Sequence, residues 1–105
     1  MIFITGPLYS GKRTFASALP GTRIAEVQNL AKDADDLEKL ADKLAAYDIV
    51  IATEVGGGVV PVDAGERAAR EAAGRLACLL ASRAQCVVQM FCGIPTILKG
   101  ELPPC

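Results

Sequence analysis

The sequence predicts an α/β three-layer sandwich on a mostly parallel sheet of about 4–5 strands. Three observations predict it. Short apolar, β-branched runs recur at residues 2–5, 48–53 and 86–91, continuous rather than alternating, as in strands buried on both faces. The segments between them repeat their apolar residues at three- and four-residue spacing, the period of a helix. Gly6-Pro7 stops the first run, and Gly56-Gly57-Gly58 lies just beyond the second, so the chain turns sharply where strands end.

Ile2-Phe3-Ile4-Thr5 gives the first strand. Arg13 to Leu19 forms a short helix ended by Pro20-Gly21, since proline cannot continue a helix and glycine accepts the conformation just beyond one. A brief strand follows at Arg23-Ile24-Ala25-Glu26-Val27. From Asp35 to Tyr47, Leu37, Leu40, Ala41 and Leu44 line one side while Asp36, Glu38, Lys39, Asp42 and Lys43 line the other. Asp35 with Glu38 has the spacing of a capping box. Asp48 to Thr53 is the next strand, and it runs into the glycine-rich segment Glu54 to Pro61. Asp63 with Glu66 opens a helix of roughly 20 residues, with Ala68, Ala72, Leu76, Leu79 and Leu80 on its apolar stripe. Cys86 to Phe91 is the last buried strand, and Gly93-Ile94-Pro95 leads to a short run at Thr96 to Lys99. In such sheets ligands bind at the carboxyl ends of the strands, where the loop after Ile4 and Glu54 are both expected.

Of the 105 residues, 51% are hydrophobic, 22% charged and 5% aromatic, with a formal net charge of -1. That composition fits one globular core, a single domain over residues 1–105, and disfavours a general nucleic-acid binder. No stretch approaches the ~18 uninterrupted apolar residues of a membrane helix, and the first residues lack the pattern of a signal peptide, so a cytoplasmic chain without a membrane partner is expected. The absence of histidine (His 0) removes imidazole as zinc ligand, neutral-pH base and covalent nucleotide carrier. Cys78, Cys86, Cys92 and Cys105 show no Cys-x-x-Cys spacing and are expected as reduced thiols acting as small buried hydrophobes.

Gly6-Pro7-Leu8-Tyr9-Ser10-Gly11-Lys12 has the Gly-x-x-x-x-Gly-Lys spacing of a phosphate-binding loop between a buried strand and a helix start. In such a turn successive backbone N–H groups converge on an anion, and the lysine supplies a point charge for the β- and γ-phosphates. The rival reading is an accidental Gly-Lys turn with a solvated lysine. Arg13 stands where the pattern places a Ser or Thr hydroxyl for Mg2+, and arginine cannot ligate a metal. Thr14 is turned about 100° further round the helix, a poor substitute, so Mg2+ binding is expected but weakened. Arg13 either offers its guanidinium to a phosphate or is solvated. Glu54 either positions a metal ion or water for phosphoryl transfer or caps a turn. Arg67 and Arg70, on adjacent turns near the ligand edge, either bind phosphate or belong to a salt-bridged surface with Glu66 and Glu71.

The order of motifs resembles the cobinamide kinase family, bifunctional adenosylcobinamide kinases and adenosylcobinamide-phosphate guanylyltransferases of cobalamin biosynthesis. The resemblance rests on Ile2 to Gly6 with Ser10-Gly11-Lys12, then Thr53-Glu54-Val55-Gly56-x-Gly58-Val59-Val60-Pro61. It continues through Arg67-x-x-Arg70-Glu71-x-Ala73-Gly74-Arg75-Leu76 to Gly93-Ile94-Pro95 before Lys99. It implies a P-loop, RecA-like fold, a homo-oligomer that is a trimer in some members, and ATP or GTP as substrate with adenosylcobinamide as acceptor. Carried over by position, Gly6 to Arg13 would hold the nucleotide phosphates, and Glu26 would lie at a strand end near the nucleotide. The chain departs from the family in being shorter, in having a helix at Asp35 to Tyr47 where the family holds its guanylylated histidine, in Arg13 after the lysine, and in Ala77-Cys78 after Gly74-Arg75-Leu76. Without histidine, guanylyl transfer is expected to be absent. Kinase chemistry through Lys12 and Glu54 is one expectation, and a non-catalytic nucleotide binder or assembly partner is the other.

Overall fold

The structure, a computed structural model, describes residues 1–7, 11–31, 33–53 and 64–101. In chain order the elements are β1 (Ile2–Gly6), α1 (Lys12–Ser17), β2 (Arg23–Ile24), α2 (Gln28–Ala31), α3 (Leu37–Leu44), β3 (Ile49–Thr53), α4 (Ala64–Arg83), β4 (Cys86–Phe91) and β5 (Ile94–Lys99). The five strands form one sheet in the order β2-β3-β1-β4-β5. The first four are parallel and β5 is antiparallel to β4, so the α/β, mostly parallel expectation holds.

The period of two along a strand explains the two layers of core. Phe3, Val50, Ala52 and Val87 point to one face, where they meet Val27, Ala31, Ala41 and Leu44 beside Ala73, Leu76 and Leu80 of α4. Their neighbours Ile4, Ile49, Ile51, Val88 and Met90 point to the other face, against Ala16 and Phe15 of α1. Every residue of β3 is buried, which is why that run reads as continuous rather than alternating. Each fully buried large aliphatic or aromatic side chain contributes about 1.5–3 kcal/mol, so both helical layers are needed to cover the sheet.

At the amino edge the turn after α1 is stitched to the start of β3. The Thr22 amide donates to Asp48 Oδ2 at 2.9 Å, the Asp48 amide donates to Thr22 Oγ1 at 3.1 Å, and the Ile49 amide donates to the Thr22 carbonyl at 2.9 Å. Gly21 precedes this stitch at φ +117°, and a Cβ there would lie 2.6 Å from the Asp48 Cβ. No other residue fits that turn without displacing Asp48.

Several boundaries differ from expectation. The second strand ends at Ile24 because Glu26 takes a left-handed φ of 58°, and a short helix that the sequence did not announce, α2, follows. The 35–47 helix is shorter, and its cap is Asp36 rather than Asp35: the Asp36 carboxylate accepts from the Glu38 and Lys39 amides. The 96–99 run is part of a full strand, because Cys92 and Gly93, at φ 51° and 77°, make a two-residue hairpin turn with both central residues left-handed. Of the three described cysteines only Cys86 is buried. Cys78 and Cys92 are exposed thiols, which corrects their reading as core residues, and Cys105 lies outside the described residues. Asp63, Glu54 and the 56–58 glycines also lie outside them. Among the described residues no helix is long and apolar enough to cross a membrane.

Candidate functional site

β1 occupies the centre of the sheet, and its last residue, Gly6, is in register with Thr53 at the end of β3. Strand order changes direction here, since β3 lies on one side of β1 and β4 on the other, so the carboxyl edge carries the crevice at which such folds bind ligands. The chain leaves β1 through Pro7, and Gly11 is the residue before α1. Gly11 has φ 90° and ψ 13° and no side-chain cap. A Cβ on Gly11 would approach the Gly93 Cα to 3.2 Å, so the β4–β5 turn packs directly on Gly11. Conformation and packing both require glycine at this position.

Lys12 follows, only 6% exposed, with its Nζ donating to the Pro7 carbonyl at 2.7 Å. A buried ammonium is costly unless it is hydrogen-bonded, and Pro7 is not the only group it meets. The side chain therefore folds back toward Pro7 instead of extending into solvent.

Arg13 sends its Nη2 to Glu26 Oε1 at 3.5 Å, across the gap between α1 and the segment after β2. Glu26 is the centre of a polar network. Gln28 Nε2 donates to its Oε2 at 2.6 Å, and the Thr53 hydroxyl lies 3.2 Å from each of its oxygens. Gln28 in turn accepts the Thr53 amide at 3.0 Å, tying the end of β3 to α2. The Gln28 hydrogen bond holds the Glu26 carboxyl below its usual range; partial burial opposes this, while Thr53, Arg13 and Lys12 add to it. A left-handed backbone at a non-glycine residue costs of order 1–3 kcal/mol and persists where its surroundings over-determine it, as the side chains of Gln28, Thr53 and Arg13 do here. A cleft of ≈ 130 Å³ shares Gln28 and Thr53 with the network and is otherwise bounded by Thr5, Ala52 and the small residues Ala73, Gly74 and Ala77.

The structure thus joins Lys12, Arg13 and Glu26 at one sheet edge with Gly6, Pro7 and Gly11. Gln28 and Thr53, which the sequence reading missed, complete the group. Thr53 had two signals, as a polar residue ending a buried apolar strand and as the first residue of the motif running to Pro61. Arg67 is exposed and Arg70 half-buried in the first turns of α4. Leu8, Tyr9, Ser10 and Glu54 lie outside the described residues.

The expected Mg2+ meets a poor donor set among the described residues. Position 13 is a cation, Thr14 is exposed one residue further on, and Glu26 is engaged by Arg13, Gln28 and Thr53. No group of three or more His, Cys, Asp or Glu side chains able to hold a metal occurs among the described residues. Those residues do not fit the metal.

No curated protein matches the chain. The family model for cobinamide kinase / cobinamide phosphate guanyltransferase matches residues 20–98. The match runs through α3, the segment read as a departure, and begins beyond the Gly6 to Lys12 loop, so the loop is an observation independent of it. With a mostly parallel sheet, a strand-to-helix turn at its central strand and a family match over most of its length, the chain belongs to the cobinamide kinase / cobinamide phosphate guanyltransferase family of cobalamin biosynthesis.

Proposed function

We propose that residues 1–105 act as one nucleotide-binding unit that holds ATP or GTP through Gly6 to Arg13 and transfers the γ-phosphoryl group to the hydroxyl of adenosylcobinamide. The observation that carries this reading is Lys12, buried and folded back toward Pro7 at the end of the central strand. Its ammonium is a fixed positive charge where negative charge builds on the transferred group. The acceptor oxygen bonds the γ-phosphorus as the bond from that phosphorus to the β–γ bridging oxygen breaks, the hydroxyl proton is released to solvent, and the nucleoside diphosphate departs with the bridging oxygen. Glu54, next in chain after Thr53, is proposed to orient the acceptor hydroxyl, and Arg67 and Arg70 to meet its new phosphate. Guanylyl transfer through histidine is outside this chain's chemistry, because it has none.

Arg13 favours the second reading, a nucleotide-binding family member without catalysis, since a cation replaces the hydroxyl that phosphoryl transfer usually places after the lysine. Self-association, to a trimer by analogy with the family, has an apolar edge at its disposal: Ile94, Ile97 and Leu98 of β5 are exposed, as is Phe91 beside them.

Calorimetric titration with GTP and ATP tests the common core of both readings. Lys12→Ala is expected to weaken binding by about 1.5–3 kcal/mol, the usual worth of a charge-assisted hydrogen bond, while the protein stays folded. Unchanged affinity in that variant would place the nucleotide elsewhere. Phosphorylated adenosylcobinamide formed from bound nucleotide separates the kinase from the binder.

A further inference from the structure

We propose that Arg13, held by Glu26, takes the place of the metal ion in this phosphate site, so that polyphosphate binding here is independent of magnesium. The inference rests on the phosphate-loop reading above and specifies the cation that the loop uses.

Three observations carry it. Arg13 occupies the position after Lys12 at which a phosphate loop otherwise presents a metal-ligating hydroxyl, and a guanidinium, which carries donors and no acceptor, cannot ligate a cation. Among the described residues, the carboxylate at this edge is already committed: Glu26 Oε1 faces Arg13 Nη2 at 3.5 Å, while Gln28 and Thr53 hold the same carboxylate from the other side. Finally, the Glu26 contact uses one of the five guanidinium donors, and the Arg13 side chain remains 71% exposed next to the buried Lys12. A carboxylate that anchors an arginine from one side leaves the rest of its donor fork for a second anion, and the fork matches two oxygens of a phosphate. Lys12, Arg13 and Glu26 together carry a net positive charge without any metal. A divalent cation brought beside Arg13 would instead meet like charge.

The test uses the full chain and two probes, GTP and inorganic tripolyphosphate, each titrated with EDTA and with Mg2+. Wild-type affinity for both is expected to agree within about threefold between the two conditions. Arg13→Ser, which restores the hydroxyl, is expected to bind about 10- to 100-fold more weakly in EDTA and to recover with Mg2+. Arg13→Lys, which keeps the charge but not the fork, falls between them. Thermal unfolding of each variant confirms that it is folded. Wild-type binding that appears only with Mg2+ overturns the proposal, and so does an Arg13→Ser variant that matches wild type in EDTA. If Lys12→Ala abolishes binding while Arg13→Ser does not change it, the phosphate loop stands and this proposal alone fails. If wild type binds neither probe under either condition, the phosphate-loop reading fails and takes the proposal with it.

Discussion

Glu26 and Asp48 stand at opposite edges of one sheet, and both are carboxylates that hydrogen bonds hold below their ordinary range. Their surroundings differ in kind. Asp48 is fixed chiefly by the Thr22 backbone amide and also by the Thr22 hydroxyl, on a turn whose glycine leaves room for nothing else. Glu26 is fixed by side chains alone, Gln28, Thr53 and Arg13, on a backbone that is itself left-handed. A carboxylate bound to backbone closes a turn and has no exchangeable partner. A carboxylate bound by side chains, one of them an exposed cation, can share that cation with a ligand. The comparison teaches that a depressed carboxyl pKa does not by itself mark a site, whereas the nature of its partners does.

The largest expected effect is at the amino edge. Gly21→Ala forces a Cβ to within 2.6 Å of Asp48 at φ +117°, and we expect a loss of ~2–3 kcal/mol in chemical denaturation with nucleotide affinity unchanged. A loss of affinity in a folded variant would erase the distinction between the edges. Glu26→Gly runs the other way, because it relieves the left-handed strain while deleting the network. Stability is expected to stay within about 1 kcal/mol of wild type, and binding to change, since Arg13 loses its anchor. A large destabilisation with unaltered binding would make Glu26 as structural as Asp48.

Acid unfolding examines both carboxylates together. Above the ordinary carboxylate range each is ionised whether the chain is folded or not, and its contribution is fully present. As pH falls through that range the unfolded chain takes up protons first, so stability drops until the depressed folded values are passed. Denaturation midpoints against pH should therefore fall on the acid side, and Glu26→Gln and Asp48→Asn should each flatten that fall. A variant whose acid limb matches wild type would show that its carboxylate is not linked to folding.

The smallest effect belongs to the surface. Arg75 and Glu71 pair at 2.6 Å one helical turn apart, but both are well exposed, and Arg75→Ala should cost no more than about 0.5 kcal/mol. A larger cost would mean that the Arg75 stem matters as part of the apolar groove it lines with Leu37 and Leu79.

Much of this fold is legible in the residues themselves. Ile49 to Thr53 reads as a strand buried on both faces because Ile49, Val50 and Ile51 are consecutive large apolar residues, and Leu37, Leu40, Ala41 and Leu44 announce one buried helix face. The β4–β5 hairpin was harder to see, since Cys92 sits at a left-handed position that ordinarily announces itself through asparagine or aspartate. The end of β2 was obscured in the same way, because Glu26 carries no composition signal for a positive φ.

By itself the sequence determined the buried strands β1, β3 and β4, the helical period and the Gly6 to Lys12 spacing, since each depends on residues within a few positions of one another. Only the tertiary structure decided which carboxylate meets which cation. Arg13 reaches Glu26 across 13 residues and Thr53 reaches it across 27, and both contacts exist because β3 lies between β1 and β2 with its carboxyl end beside the Glu26 bend. Contacts set by strand order have no local signature, and the chemistry of this edge is made of them.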